Sequence, residues 1–109
     1  MAFDEGLAHR IREQLGPRPD LTERKMFGGI GFMTSGNMLV GVIAGDLICR
    51  VGPQATHDAL AQPGARVFDM TGRPMTGWVV VAGDAVAQDA DLAAWIARSE
   101  RFVETLPPK

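Results

Sequence analysis

The sequence predicts a two-layer α+β domain, helices packed on an antiparallel five-stranded sheet in the order α-βββ-α-ββ-α. Three observations point there. Apolar residues near the N-terminus recur every four positions, and those near the C-terminus recur at helical spacing. Between them lie short apolar or β-branched runs separated by tight-turn residues. The chain has 109 residues, 46% apolar and 22% charged, which fits one globular domain and excludes disordered and collagen-like classes.

The elements follow in order. Phe3, Leu7, Ile11 and Leu15 form one stripe of a first helix. Asp4 and Glu5 occupy its first turn, where the helix dipole favours anions, and Gly16-Pro17 stops it. "PRPDLTERK" reads as a loop anchored by Leu21. "MFGGIGFM" is expected to be a strand, because each glycine inside a helix costs about 1 kcal/mol against alanine. "TSGN" is a turn in which Gly36 and Asn37 can take positive φ. "MLVGVI" is a continuous apolar run, as a strand buried on both faces requires. In "DLICRV", Leu47, Cys49 and Val51 share one face and Ile48 and Arg50 the other. Two tight turns joining three strands make a meander.

Gly52-Pro53 opens a short second helix with Pro53 at its first position, and Ala55, Ala59 and Leu60 facing inward. "ARVFDM" and "MTGWVVVA" are the fourth and fifth strands, joined through "TGRP". The last helix runs from about Asp89 to Leu106, where Pro107 ends it. Its inner face carries Leu92, Trp95, Ile96, Ser99, Phe102, Val103 and Leu106.

The formal net charge is −2, with 11 basic and 13 acidic side chains. The basic residues Arg24, Lys25, Arg50, Arg66 and Arg73 are scattered rather than striped, which weighs against binding through nucleic-acid phosphates. Cys49 is the single cysteine, and the two histidines, His9 and His57, stand far apart. No internal disulfide, no zinc site and no cofactor are expected. "MAFDEGLAHR" lacks the apolar core of a signal peptide, and no run is long enough to span a membrane. A cytoplasmic location is the expectation.

The stretch "KMFGGIGFMTSGN" decides between a phosphate cradle and a sheet with bare backbone. A dinucleotide fingerprint needs a third glycine and a following helix; here Phe32, Met33 and Thr34 follow Gly31, and then a turn. A phosphate loop needs a lysine after its second glycine, where Asn37 stands. The glycines Gly28, Gly29, Gly31 and Gly36 are therefore assigned a structural role, one that allows another chain segment to approach closely. A helix lying over Gly28, Gly29 and Gly31 is the expected form of that approach.

No catalytic constellation emerges, and an enzyme is not expected. A Cys49/His57 nucleophile pair lacks an acidic orienter, and Cys49 shares a face with Leu47 and Val51, as a small core residue does. Candidate binding residues are Arg50 and Trp78, residue types over-represented at binding hot spots, together with Arg73 and, at the mouth of the glycine stretch, Lys25. The alternative is a small-molecule-handling enzyme or a weak nucleic-acid binder using the glycine-rich hairpin and the basic residues.

Taken together, "RKMFGGIGFMTSGNMLVGV", "DLICRVGP" and "PGARVFDMTGRPMTGWVVV", followed by a helix containing tryptophan, resemble the TfoX/Sxy N-terminal domain family from about Glu23 to Pro108. The "TGRPM" turn and the terminal "LPPK" are similar to its small standalone members. The resemblance implies an antiparallel α+β domain of the secretion-chaperone-like kind. It also implies regulation of competence for DNA uptake as a co-activator, with a protein partner such as a transcription factor. A homodimer is a further option on separate grounds, because open sheet faces and edge strands offer surfaces for self-association. The resemblance supplies no catalytic residues. The competence regulators carry a second, C-terminal domain beyond the part that this chain resembles.

Overall fold

Asp4 starts the first helix rather than riding inside it. Its Oδ1 accepts a hydrogen bond from the Leu7 amide at 3.2 Å, satisfying one of the amides that a helix start leaves without a partner, an interaction typically worth about 1 kcal/mol. Helix α1 then spans Glu5–Leu15 and ends at Gly16, whose φ is 68° and whose amide closes on the Arg12 carbonyl. Phe3 lies before the helix and bridges to Ala44. The computed structural model describes residues 3–26, 28–69 and 72–109.

Six strands follow, where five are expected from the sequence. They are β1 (Leu21–Met26), β2 (Gly29–Thr34), β3 (Asn37–Ile43), β4 (Asp46–Arg50), β5 (Ala65–Val67) and β6 (Trp78–Val81). All neighbours pair antiparallel in the order β1-β2-β3-β4-β6-β5. The added strand is β1, formed by the segment that reads as a loop. Thr22, Glu23, Arg24 and Lys25 are all exposed, so β1 is held by its ladder to β2 and not by burial. Charged side chains on such an edge also discourage pairing with another chain. Phe27, Met70 and Thr71, which fall in expected strands and turns, lie outside the described residues.

The β2–β3 hairpin turns on Ser35 and Gly36, with φ of 51° and 83°, the positive pair that a two-residue hairpin loop needs. Asn37, expected to share the turn, instead begins β3. It is buried, and its Nδ2 donates to the Pro107 carbonyl at 2.9 Å. Opposite Phe32 the strand bulges: Phe32 pairs with Val40 and Met33 with Met38, leaving Leu39 as an extra residue. The bulge keeps both Leu39 and Val40 in the core while Met38 faces the other way.

Helix α2 covers Thr56–Leu60, shorter than the run expected from Pro53; Ala59 is buried and Ala55 is exposed. A single 3-10 turn at Gly83–Val86 leads into α3 (Asp89–Val103). The buried face of α3 is Leu92, Trp95, Ile96, Ser99 and Val103. The apolar ones among them meet Leu7, Ile11 and Leu15 of α1 over the strand residues Phe32, Val42, Leu47, Cys49, Val79 and Val81, all in one core. Each fully buried Val, Leu, Ile or Phe there contributes roughly 1.5–3 kcal/mol. Among the described residues, no helix is long and apolar enough to cross a membrane.

Candidate functional site

Strand alternation sends every second residue away from that core. The register makes one continuous row on the other face: Arg24 on β1, Gly31 on β2, Gly41 on β3, Ile48 on β4, Val80 on β6 and Arg66 on β5. The core-side neighbours of the glycines are Ile30, Phe32, Val40 and Val42. The helices thus lie on the face opposite Gly31, which corrects the expectation of a helix above it.

The close approaches at the glycines have other partners. A Cβ on Gly29 would run into the Val42 carbonyl of the neighbouring strand. One on Gly41 would stand 2.8 Å from the Ile30 carbonyl oxygen and 2.8 Å from Met38 Cε. At Gly36 the approaching segment is the C-terminal tail. Lys109 Cβ would be 2.8 Å from an added Cβ, and the Lys109 amide donates to the Ser35 carbonyl at 2.7 Å. Gly31 is different: its neighbours would be only the ends of Met26 (Cε at 3.2 Å) and Met38 (Cε at 3.4 Å).

The helix-free face is half covered. Between β5 and β6, Phe68 and Met75 pack against Ile48, Val80 and Trp78 in a second, smaller apolar cluster. The Phe68 and Trp78 rings lie 6.2 Å apart, tilted by 55°, and the Met75 amide donates to the Phe68 carbonyl at 2.9 Å. The part over β2 and β3 stays open. There Gly31 and Gly41 place no side chain; the ends of Met26 and Met38 lie over them, and beside these runs a groove of about 410 Å³. Met26, Met33 and Met38 of β1, β2 and β3 line it together with Met75, which precedes β6. All four are half-buried.

Arg50 closes one end. Its guanidinium carbon lies 5.3 Å from the Trp78 ring centroid and 5.5 Å from that of Phe102, both within cation–π range. Five other arginines are matched to carboxylates: Arg10 to Asp89, Arg12 to Glu23, Arg18 to Glu100, Arg66 to Asp46 and Arg98 to Asp58. Of the four without an acid among the described residues, Arg24, Arg73 and Arg101 are exposed, whereas Arg50 is half-buried. A planar fork of donors, held by two aromatic rings and lacking an acidic partner, suits a carboxylate from outside.

The structure brings Arg50 and Trp78 together as cross-strand partners. It does not bring Lys25 to them. Lys25 pairs with Ile30 and so sits on the helix-side face of the edge strand, where it is exposed. Arg73, between β5 and β6, is exposed and does not line the groove. The basic residues form no single surface, since Arg24 and Lys25 point to opposite faces and Arg66 is engaged by Asp46 at 2.8 Å.

Cys49 is fully buried, and burial pushes its thiol well above the usual range, with the facing Ser99 hydroxyl and the Arg98 charge only partly opposing this. Ser99 Oγ is itself buried with no hydrogen-bond partner among the described residues. A thiol in this setting is not a nucleophile, and His57 is exposed on α2. Among the described residues, no three His, Cys, Asp or Glu side chains gather as a metal set would. The methionine groove itself was missed. The alternation Ile30-Gly31-Phe32 with Val40-Gly41-Val42 was its signal, because both glycines fall at the same parity.

Fold and site together define a small α+β module with helices on one face of its sheet and an apolar, arginine-capped groove on the other. The family described as the TfoX N-terminal domain matches residues 13–103, and the chain belongs to it. Comparison with curated proteins and with solved structures gives no match, so the likeness to secretion chaperones rests on the family resemblance alone.

Proposed function

We propose that the chain is a non-catalytic regulatory module that acts in the cytoplasm by contacting a protein partner through the helix-free face of its sheet. Membership of a family associated with competence regulators supports the regulatory part, and a transcription factor is the partner class those regulators suggest. One observation carries the surface: half-buried Arg50, without an acidic partner among the described residues, stacked on Trp78 beside an open apolar groove. Arginine and tryptophan in such a setting are the residue types that dominate binding energy at interfaces. Exposed Arg73 on the neighbouring segment extends the same surface.

The test is affinity capture from native extract with the wild-type chain, Arg50→Ala and Trp78→Ala as parallel baits, each checked for folding by its thermal melt. The reading expects one or more proteins retained by the wild type and depleted at least tenfold by both folded variants. An identical set of retained proteins on all three baits overturns it. Gel filtration of the same samples shows whether the retained partner is a second copy of the chain.

A further inference from the structure

We propose that the groove over Gly31 and Gly41 is a binding site for a small amphipathic monocarboxylate, whose apolar body lies among the methionines and whose carboxylate meets Arg50. This goes beyond the protein-contact reading and stands without it. Three observations carry it. The groove's volume of about 410 Å³ falls within the roughly 300–1,000 Å³ of small-molecule sites, which pair an apolar lining with a few placed polar groups. Among the described residues, its lining is apolar apart from Arg50 and, at the tail end, Lys109. Four of the chain's six methionines face it, and thioether side chains adapt to ligands of irregular shape.

The charge argument fixes the ligand's polar end. Arg50 is half-buried, and the aromatic rings of Trp78 and Phe102 offer its charge a surface but no acceptor for its N–H donors. A carboxylate accepts two such donors in parallel. An alcohol would take one without neutralising the charge, and an amine would be repelled. The thioethers fix the apolar end: the ends of Met26 and Met38 lie over Gly31, and an alkyl or aryl body can lie among these adaptable side chains and against Gly41. A protein side chain could reach the same place, but the size of the groove and its half-buried arginine match a free monocarboxylate more closely than an extended peptide.

The experiment uses the isolated chain with its methionine methyl groups labelled with carbon-13, and decanoate as the probe below its micellar concentration. Decanol and decylamine are the matched controls. The proposal expects saturable shifts of the Met26 and Met38 methyl signals with decanoate, and binding at least tenfold weaker with either control. Arg50→Met, which keeps apolar contact with Trp78, is expected to remove the preference for decanoate over decanol. Gly31→Leu, which pushes the Met26 and Met38 ends out into the groove, is expected to suppress the shifts with every probe. Equal response to decanoate and decanol, shifts spread over all methyls without saturation, or an unchanged preference in Arg50→Met overturns the proposal. No partner is present in this measurement, so its failure is separate from a failure of the capture experiment.

Discussion

On the face beneath α1 and α3, the central strands present Phe32, Val40, Val42, Leu47, Cys49, Val79 and Val81, all at zero exposure. On the opposite face the row through the same strands reads Gly31, Gly41, Ile48 and Val80, with arginines at both ends. The strands and the backbone ladder are common to both. What differs is how much side chain each face carries and what covers it. Packing at interior density holds a side chain in one place, whereas half-buried methionines over bare glycine can rearrange. Stability is concentrated on the first face, and room for another molecule on the second.

The largest expected effect breaks the first face. Phe32→Ala empties the centre of the helix-side core and is expected to cost about 3–5 kcal/mol, read as a shift of the urea midpoint. Met38→Ala, across the sheet and half-buried, is expected to cost only about 1 kcal/mol, since part of its side chain already meets water. Comparable losses from the two substitutions would mean that the groove face is core after all.

The glycines sharpen the comparison at the next scale. Gly29→Ala and Gly41→Ala each push a methyl group into a carbonyl of a neighbouring strand, which cannot move without disturbing the ladder; a loss of about 1–3 kcal/mol is expected for each. Gly31→Ala meets only two flexible methionine ends. It is expected to be neutral, or stabilising by about 0.5 kcal/mol through the unfolded chain. Thermal melts of the three variants separate the cases. A large loss at Gly31 would show that the methionines above it are rigidly packed and that the groove is closed.

The same contrast explains what the sequence revealed. Alternation in "DLICRV" placed Arg50 and Ile48 opposite Leu47 and Cys49, and the register bears this out. The helical stripes of α1 and α3 were legible because burial on one side imposes a period. Strand β1 was not legible, because four successive exposed polar residues carry no period at all. The groove was hidden for a different reason. Met26, Met33, Met38 and Met75 come from four separate stretches, and only the ladder register and the extra residue at Leu39 bring them onto one side. Sequence proximity to the glycines puts Lys25 near Arg50, but the face of Lys25 is decided by its pairing with Ile30.

The smallest effect tests whether charge adds anything to the packed face. Arg12 of α1 holds Glu23 of β1 through two hydrogen bonds of 2.8 Å, fastening the edge strand to the helix layer. The hydrogen bonds from Arg12 pull the Glu23 carboxyl below its usual range, against a smaller opposing effect of burial. A carboxyl depressed in the folded state contributes stability above its unfolded pKa and loses it as pH falls through the lower folded value. The contribution is therefore present at pH 7 and lost below about pH 4, near and beneath the ordinary glutamate value. The two side chains are 42% and 35% exposed, so solvent screening keeps the contribution under about 1 kcal/mol. Urea midpoints of wild type and Glu23→Gln are expected to differ by a few tenths of a kcal/mol at pH 7 and to converge at pH 2.5. A gap that survives acid would move the credit from the ion pair to packing, because the Arg12 guanidinium also lies 5.8 Å from the Phe32 ring centroid, and the edge strand would then be held by the same apolar contacts as the rest of that face.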